Sequence, residues 1–213
     1  MLIMRASTTE NEDIDGMNSF QRGLKRIGDI LGSAIGLVLL SPLFVVIYIM
    51  QKIEGEGPVL FRQERIGLGG KPFYIYKFRT MTVEAEKGGI PKLAEKKDER
   101  LTKVGRFLRE HHLDELPQLW NVLKGDMSFV GYRPERQYFI GQIVAHNPDY
   151  VLLYCSRPGV TSYATLYNGY TDTMDKMLMR LDMDLHYLRH RSLAMDMKII
   201  FKTFFSVFSG KKF

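Results

Sequence analysis

Cysteine is almost missing from this sequence: Cys155 is the single one among 213 residues. That count excludes a disulfide framework and any zinc site that needs several cysteines. Strong charge of one sign is missing too, because 30 Lys and Arg face 24 Asp and Glu, for a net charge of +6. So mild an excess suits a phosphate-rich partner or an anionic membrane face as well as a nucleic acid. Hydrophobic residues make up 45% of the chain, which excludes a disordered or fibrous protein.

Charged residues are absent between Ile30 and Gln51, a stretch of 22 residues. As a helix it would reach about 33 Å, which is enough to cross the core of a bilayer. It is not a secretory signal, because it is too long, an acidic stretch precedes it and no small-residue cleavage site follows it. A buried core helix is the alternative, although domains of this size seldom contain a helix that is apolar on every side.

Ser41 and Pro42 interrupt this hydrophobic stretch near its middle. Pro42 lacks a backbone N–H and its ring clashes with the carbonyl of Val38, so the helix kinks or breaks there. A spanning helix should show a basic bias on one side, but here basic residues flank both ends: Arg22, Lys25 and Arg26 before it, and Lys52, Arg62, Arg65 and Lys71 after it. We therefore expect residues 21–52 to form a re-entrant membrane helix, with a kinked spanning helix as the alternative.

The two ends of the chain differ in pattern. Residues 1–20 have the composition of a loose polar tail. Near the C-terminus, a polar stripe lies opposite a face rich in Ile and Phe, and its members are Lys198, Lys202, Ser206 and Ser209. This pattern predicts an interfacial membrane helix over residues 196–213, reinforced by Lys211 and Lys212. A terminal helix packed on the core is the alternative. Residues 53–195 would form the body between these segments.

The body begins with a predicted β-hairpin, formed by Val59–Ile66 and Pro72–Met81 around the glycine-rich turn Gly67–Lys71. On the second strand, Lys77 and Arg79 are two residues apart and therefore point to the same face. Two cations on a rigid strand could hold a diphosphate, although a solvated polar face is the ordinary alternative. The charged stretch from residue 84 to residue 100 predicts a mobile surface loop. Together these elements predict a small α+β fold with a short hairpin and surrounding helices.

The segment from Leu113 to Leu123 is the most informative of the chain. Its apolar residues recur at helical spacing, and Pro117 fits only in the first turn of a helix. Asp114 and Glu115 would then lie at the helix N-terminus, where carboxylates often serve only as a cap or as a favourable charge. The same exposed amides would keep Asp114 ionised, as a nucleophile must be, and would attract phosphate. Glu115 offers a hard oxygen ligand for Mg²⁺.

Two further cations stand directly before prolines. Arg133 precedes Pro134, and Arg157 begins the sequence Arg-Pro-Gly-Val-Thr. The backbone of a residue before proline is restricted, so both side chains are rigidly placed. Both are candidate anion ligands, with solvent-exposed loop arginines as the alternative.

These segments together resemble the bacterial monotopic phosphoglycosyl transferases, over roughly residues 20–208. Leu39-Leu40-Ser41-Pro42-Leu43 is similar to the helix break of that family, and Lys77-Phe78-Arg79-Thr80-Met81 to its KFR[ST]M strand. The segment LDELPQLWNVLKGDMSFV, residues 113–130, carries the most specific part of the resemblance. Arg157–Thr161 resembles the RPG[IV]T motif. Tyr132 departs from the family pattern, because a proline usually stands there, in a region that we expect to touch the sugar or the nucleotide.

The resemblance implies an enzyme of the bacterial inner membrane whose catalytic domain lies on the cytoplasmic face. Such an enzyme transfers a sugar-1-phosphate from a UDP-sugar to a polyprenol phosphate such as undecaprenyl phosphate, and releases UMP. It implies Asp114 as the nucleophile, Glu115 as the ligand of Mg²⁺, and phosphate neutralisation by four cations: Lys77, Arg79, Arg133 and Arg157. The product would initiate an exopolysaccharide, a capsule or another glycoconjugate. The large membrane domain of the long members is missing, which implies a short form.

Two other functions stay open at this point. A conventional glycosyltransferase would use the same UDP-sugar but release UDP. A membrane-anchored basic scaffold would have no chemistry, and nucleic-acid binding has weak support because no recognition helix, RRM-type motif or dense Lys/Arg run is visible. A homodimer is left open by the sequence.

Overall fold

The computed structural model of the protein describes residues 14–82, 98–168 and 171–208. Its helices are α1 (Ser19–Leu39), α2 (Ser41–Glu54), α3 (Lys103–Glu110), α4 (Gln118–Lys124), α5 (Gln137–His146), α6 (Tyr163–Asn168), α7 (Met174–His190) and α8 (Leu193–Phe208). Its strands are β1 (Leu60–Ile66), β2 (Pro72–Phe78), β3 (Ser128–Val130) and β4 (Gly159–Thr161). Short 3-10 segments cover Leu68–Gly70, Leu113–Glu115 and Pro148–Cys155. This mixture of helices and short strands confirms the α+β prediction.

The hydrophobic stretch forms two helices, α1 and α2, and the chain bends by 57° between them. The break lies at Leu40, and Pro42 occupies the first turn of α2, where its missing N–H costs no hydrogen bond. The hydroxyl of Ser41 donates to the carbonyl of Val38 at 2.7 Å, one of the last carbonyls of α1. The predicted interruption at Ser41-Pro42 is confirmed. Within the described ranges no single helix is long and apolar enough to cross a membrane, whereas the bent pair is, on length and composition.

The predicted hairpin is confirmed, with antiparallel strands β1 and β2 paired from Leu60 opposite Phe78 to Ile66 opposite Pro72. A 3-10 turn joins them, and Gly69 adopts a φ of 67°, which glycine tolerates best. Strand β2 ends at Phe78, earlier than predicted, so Arg79 lies beyond the strand. The expected loop over 84–100 mostly lies outside the described residues, which resume at residue 98.

Strands β3 and β4 form a short parallel pair, with Ser128 opposite Gly159 and Val130 opposite Thr161. At the end of this pair the backbones of Gly131 and Gly159 touch. A Cβ on Gly159 would lie 2.1 Å from the nitrogen of Gly131, so only glycine fits there. The contact holds the loop that follows β3 against the Arg-Pro-Gly segment.

The expectation of a loose tail is wrong for residues 14–20. The carboxylate of Asp15 accepts two hydrogen bonds from the guanidinium of Arg191, both at 2.6 Å, and Met17 is fully buried. Asn18 then caps the N-terminus of α1 through a capping box with Gln21. The bidentate ion pair orders this segment against the end of α7, a long-range contact that local composition does not reveal. Residues 1–13 lie outside the described ranges.

The C-terminal helix begins at Leu193, three residues before the predicted boundary at 196. It is attached to the body by buried contacts, since Ile199 is 3% exposed and Asp196 accepts hydrogen bonds from Tyr187 and Lys25. Phe201 and Phe204 are more than half exposed on the same helix. One face of α8 thus packs on the core, as the alternative predicted, and the aromatic side chains lie on a more exposed face. The interfacial membrane role of this helix stays a prediction. Ser209, Lys211 and Lys212 lie outside the described residues.

Two apolar clusters contact the hairpin, one at its turn end through Ile66 and the other at its open end through Phe78. One joins α5, α7 and the 3-10 segment Pro148–Cys155. The other packs α2 and α3 against the hairpin through Ile47, Phe78 and Leu108. The segment Leu113–Glu115 follows α3 directly, so its position is fixed by this second cluster, which also includes Leu113.

Candidate active site

Asp114 and Glu115 lie in a 3-10 turn, and α4 begins only at Gln118, a few residues after the predicted helix start. Asp114 caps neither segment, because the N-cap positions are His112 and Pro117. His112 has φ 55° and ψ 20°, a left-handed conformation that is uncommon outside glycine. Residues with such strained backbones are concentrated at functional sites. Here the left-handed turn at His112 directly precedes the 3-10 segment that contains both carboxylates.

Glu115 is paired with two of the predicted cations. Lys77 on β2 donates from Nζ to Glu115 Oε1 at 2.5 Å, and Arg133 Nη2 lies 3.7 Å from the same oxygen. The side chains of Lys77 and Glu115 each keep 20% of their surface exposed. A small cleft lined by these three residues and by Gln118 and Pro134 opens beside the pair. The structure thus brings together a carboxylate and two cations from three separate parts of the chain.

The two neighbouring carboxyl groups have opposite pKa shifts. Burial raises the pKa of Asp114 to about 6, and the charge of Glu115 adds to this, whereas Lys77 and Arg109 oppose it. Burial also acts against ionisation of Glu115, but the charges of Lys77 and Arg133 outweigh it and lower its pKa to about 2. We expected the exposed amides of a helix N-terminus to keep Asp114 ionised, but burial, which leaves it only 7% exposed, shifts its pKa in the opposite direction. At neutral pH it is still mostly ionised.

The donor set for a divalent metal is small. Within residues 14–82, 98–168 and 171–208, no three side chains of His, Cys, Asp or Glu cluster closely enough to hold an ion by themselves. Mg²⁺, however, is usually bound by one or two carboxylates together with water and substrate phosphates. Asp114 and Glu115 fit that mode, since they are adjacent and Glu115 is ionised. A bound diphosphate would have to complete the coordination.

Asn121 is a residue that the sequence analysis missed. It is fully buried in α4, and its side chain bridges to strand β2: it accepts from the N–H of Tyr76 at 3.0 Å and donates to the carbonyl of Tyr74 at 2.7 Å. Through these two bonds, α4 is hydrogen-bonded to the backbone of β2. They therefore fix Lys77 on β2 relative to Asp114 and Glu115, here called the acidic pair. A polar residue among the apolar residues of α4 was the available signal.

Arg79 does not lie with Lys77 in the cleft. Its guanidinium is 8% exposed and donates to the backbone carbonyls of Glu56 at 2.5 Å, Gln51 at 3.3 Å and Gly55 at 3.4 Å. Gln51 returns a bond to the carbonyl of Arg79 at 2.7 Å. Arg79 therefore caps the C-terminus of α2, and it does not share a strand face with Lys77 because the strand ends one residue before it. Its role as an anion ligand stays a prediction that these contacts do not support.

Arg157 is also separate from the acidic pair. Its Nε donates to the carbonyl of Gly125 at 2.9 Å, just after α4. Burial lowers the pKa of Arg157, and the charges that act on it are those of Arg26, Asp29 and Arg191. Its contacts thus give it a role in holding the end of α4, and the structure does not bring it together with Lys77 and Arg133.

Two other expectations about this region change. The apolar stripe of α4 is not its buried face, because Trp120 is 50% exposed while Gln118 and Asn121 are buried. Leu119 contacts α1 near Gly36, so the stripe continues the open apolar surface of the bent helix pair. Tyr132 is 1% exposed inside the core, so its own side chain is not available to a sugar or nucleotide, whereas the next residue, Arg133, lines the cleft.

Arg109 and His112 were not singled out from the sequence, yet both act on the acidic pair. The charge of Arg109 lowers the pKa of Asp114. Burial lowers the pKa of His112, with Glu115 opposing the shift. Both residues lie within five positions of Asp114, at or just after the end of α3. Their closeness to Asp114 in the sequence could have identified them.

Comparison with known proteins identifies the family of the chain. Residues 20–210 match the family model described as bacterial sugar transferase. The chain is 43% identical over 197 residues to a UDP-glucose:undecaprenyl-phosphate glucose-1-phosphate transferase of Klebsiella pneumoniae, covering 92% of this chain and 42% of that protein. It is 40% identical over 187 residues to a UDP-N-acetylgalactosamine-undecaprenyl-phosphate N-acetylgalactosaminephosphotransferase of Aeromonas hydrophila, covering 88% of this chain and 44% of that protein.

These relatives are more than twice as long as the matched region, so the chain spans less than half of their length. A third relative is of similar length: the exopolysaccharide production protein PSS of Rhizobium leguminosarum is 38% identical over 200 residues, which cover 89% of this chain and 98% of that protein. The family match covers nearly all of the sequence, including the hairpin, the acidic pair and the bent helices. The chain belongs to the bacterial sugar transferase family.

Proposed function

We propose that the protein transfers a sugar-1-phosphate from a UDP-sugar to undecaprenyl phosphate or a similar polyprenol phosphate. The names of the relatives from Klebsiella and Aeromonas describe this type of reaction. The observation that carries the proposal is the buried Asp114 adjacent to Glu115, which is itself paired with Lys77 and Arg133. A carboxylate of raised pKa beside a cluster of cations suits attack on an anionic phosphate better than a purely structural role.

In this proposal a carboxylate oxygen of Asp114 attacks the phosphorus that carries the sugar. The bond between this phosphorus and the bridging oxygen breaks, and UMP leaves with the electron pair. The product is a phosphosugar bound to Asp114 as an acyl phosphate. An oxygen of the polyprenol phosphate then attacks the same phosphorus and releases the Asp114 carboxylate, which leaves a polyprenol diphosphosugar.

Attack of a carboxylate on a diphosphate brings negative charges together, so cations must compensate. Lys77 and Arg133 lie at the cleft and Arg109 acts on Asp114 itself. Such groups stabilise the charge that develops on the transferred phosphoryl group. Arg79 and Arg157 contribute indirectly, through the ends of α2 and α4 that they hold.

Mg²⁺ fits this proposal as a cofactor held by Glu115 together with phosphate oxygens of the substrate. When bound, it would neutralise charge on the diphosphate and favour its cleavage. Lys77 would keep Glu115 ionised and oriented for that role, since their ion pair is already formed.

The bent helix pair supports a membrane location as part of the same proposal. Ile27, Leu31 and Ile35 on α1 are each more than half exposed, and so are Val45 and Ile53 on α2. An apolar surface of this extent requires a cover, and lipid chains are the cover that a polyprenol substrate implies. We infer a re-entrant helix in the inner membrane, with the site on the cytoplasmic face, where UDP-sugars are found.

The nucleotide product tests the proposed function. With UDP-glucose or UDP-N-acetylgalactosamine, Mg²⁺ and undecaprenyl phosphate, we expect UMP to be released in step with lipid-linked phosphosugar. Asp114→Asn should abolish this release, and Asp149→Asn, on an exposed aspartate, should leave it unchanged. A conventional glycosyltransferase would release UDP instead, and a scaffold would release neither nucleotide.

A further inference from the structure

The side-chain amide of Gln118 is buried in the cleft beside the acidic pair without a partner. Gln118 is the first residue of α4 and lines this cleft together with Lys77, Glu115 and Arg133. The residue is only 2% exposed. Within the ranges that the structure describes, no group forms a hydrogen bond with its side-chain amide. Such an amide has lost most of its contact with water without gaining a protein partner, which costs stability.

Asn121 provides a comparison on the same helix, because its amide is fully paired. It lies three residues after Gln118, and residues at this spacing share a face of a helix. The amide of Asn121 is bound to strand β2 through the backbone of Tyr74 and Tyr76. The amide of Gln118 is therefore not needed to join α4 to β2, and an apolar side chain of the same length would fill its space at less cost. A ligand in the cleft can supply the partner that the protein does not.

The charge of the cleft indicates the chemistry of that ligand. Among the described residues, its lining contributes three cations and one carboxylate: Arg65, Lys77, Arg133 and Glu115. Arg65 is paired with Glu135, and positive charge is still in excess when this pair is set aside. Such an excess favours an anion. The NH₂ group of an amide donates hydrogen bonds without adding charge, so it suits a phosphate oxygen that lies beside the cations.

We propose that Gln118 binds the substrate directly, by donating a hydrogen bond from its side-chain amide to the phosphate that carries the sugar. This is the phosphate that Asp114 attacks, and Asp114 directly precedes Glu115 in the lining of the cleft. The inference rests on the proposed function, because this phosphate enters the cleft only if a UDP-sugar is the substrate. Lys77 and Arg133 would neutralise the diphosphate, and Gln118 would orient its second phosphate.

Binding of three nucleotides locates the contact, because UDP has the second phosphate without the sugar and UMP has neither. All variants are made in an Asp114→Asn background, which cannot form the intermediate. They are titrated calorimetrically in detergent with Mg²⁺ and with UMP, UDP or the UDP-sugar that the wild-type protein turns over. Gln118→Met keeps the length of the side chain but has no N–H, so it should weaken binding of UDP and of the UDP-sugar about tenfold each. Binding of UMP should stay within about twofold of the parent, because UMP lacks the phosphate that Gln118 contacts.

Two further variants separate the hydrogen bond from other effects. Gln137→Met is the matched control, because Gln137 is an exposed glutamine at the first position of α5, and it should bind all three nucleotides like the parent. Gln118→Glu has the same shape as the parent but accepts without donating, so it should bind UDP and the UDP-sugar no better than Gln118→Met. Thermal melting verifies that each variant is folded. If Gln118→Met does not fold, a lowered ratio of UDP to UMP affinity in Gln118→Glu tests the same contact.

Unchanged binding of UDP by Gln118→Met would overturn the inference. A loss confined to the UDP-sugar would place the amide on the sugar, and an equal loss for UMP would show an effect that does not depend on the second phosphate; either result would contradict the proposed contact. An Asp114→Asn parent that binds neither UDP nor the UDP-sugar would remove the proposed function and this inference together. A parent that binds both, with no effect of Gln118→Met on either, would remove the inference alone.

Discussion

Lys77 Nζ donates to Glu115 Oε1 at 2.5 Å, across the junction between strand β2 and the turn that precedes α4. This ion pair keeps Glu115 ionised, with a pKa of about 2, while the pKa of the neighbouring Asp114 is raised to about 6. Two adjacent carboxyl groups whose environments push their pKa values apart are suited to different roles. The ionised Glu115 is suited to a metal or a cation, and the buried Asp114 to covalent chemistry.

The titration of Asp114 is the first prediction. Its folded-state pKa of about 6 lies above the ordinary value, so the carboxyl binds its proton more tightly in the folded protein. The stability that this proton supplies is present below the ordinary value and is lost as the pH rises through about 6. Lys77→Met should raise the pKa of Asp114 further, since Lys77 lowers it. ¹³C NMR of the side-chain carboxyl groups, with a chelator present, measures both values.

An Asp114 carboxyl that titrates near 4 in the wild-type protein would contradict this account of burial. An Asp114 pKa that Lys77→Met leaves unchanged would show that the charge of Lys77 does not reach Asp114. Lys124→Met, which removes an exposed lysine paired with Asp126, is the control.

The variants Lys77→Met and Arg79→Met should have different effects on stability and on the KM for the UDP-sugar. Arg79→Met removes the group that caps α2 and should lower the free energy of unfolding by about 3 kcal/mol, because three carbonyls, one of them on the buried Gln51, lose a charged donor. Lys77→Met should change stability much less and raise the KM for the UDP-sugar. Thermal unfolding in detergent and steady-state kinetics measure the two effects.

The exposed Arg62→Met in the same hairpin is the control for loss of an arginine. Full stability of Arg79→Met, combined with a raised KM, would restore Arg79 as a phosphate ligand and would refute the capping role.

Sequence patterns could predict the elements that depend on local spacing. Alternation revealed the hairpin, Pro42 revealed the helix break, and Pro117 placed Asp114 and Glu115 just before a helix, within a few residues of its start. Each of these features depends on a few neighbouring residues, so the pattern contains most of the information.

The errors arise where a distant contact decides the outcome. Arg79 follows the strand by one residue and turns toward the end of α2, which no local pattern shows. Asp15 is ordered by Arg191, at the other end of the chain. Trp120 belongs to the apolar stripe of α4 but stays exposed, because the buried side is occupied by Asn121 and its bonds to β2. Tertiary packing overrides the local pattern in all three cases.

Topology in the membrane is the third prediction. In a Cys155→Ser background, cysteines at Ser19 and at Gly55 mark the two outer ends of the bent helix pair. A re-entrant helix places both ends on the same face, so a membrane-impermeant maleimide added to inverted inner-membrane vesicles should label both. Labelling of one position from the cytoplasmic face and of the other only from the periplasmic face would show a spanning helix instead.

Intact-mass spectrometry tests the central claim, that Asp114 forms a covalent bond to the transferred phosphosugar. The purified protein is incubated with its UDP-sugar and Mg²⁺, without any polyprenol phosphate, and UMP is measured in parallel. We predict a mass gain of one phosphosugar and one equivalent of UMP, with neither seen for Asp114→Asn, and loss of the adduct when polyprenol phosphate is added. Turnover with lipid, but no adduct and no UMP in its absence, would contradict the covalent intermediate.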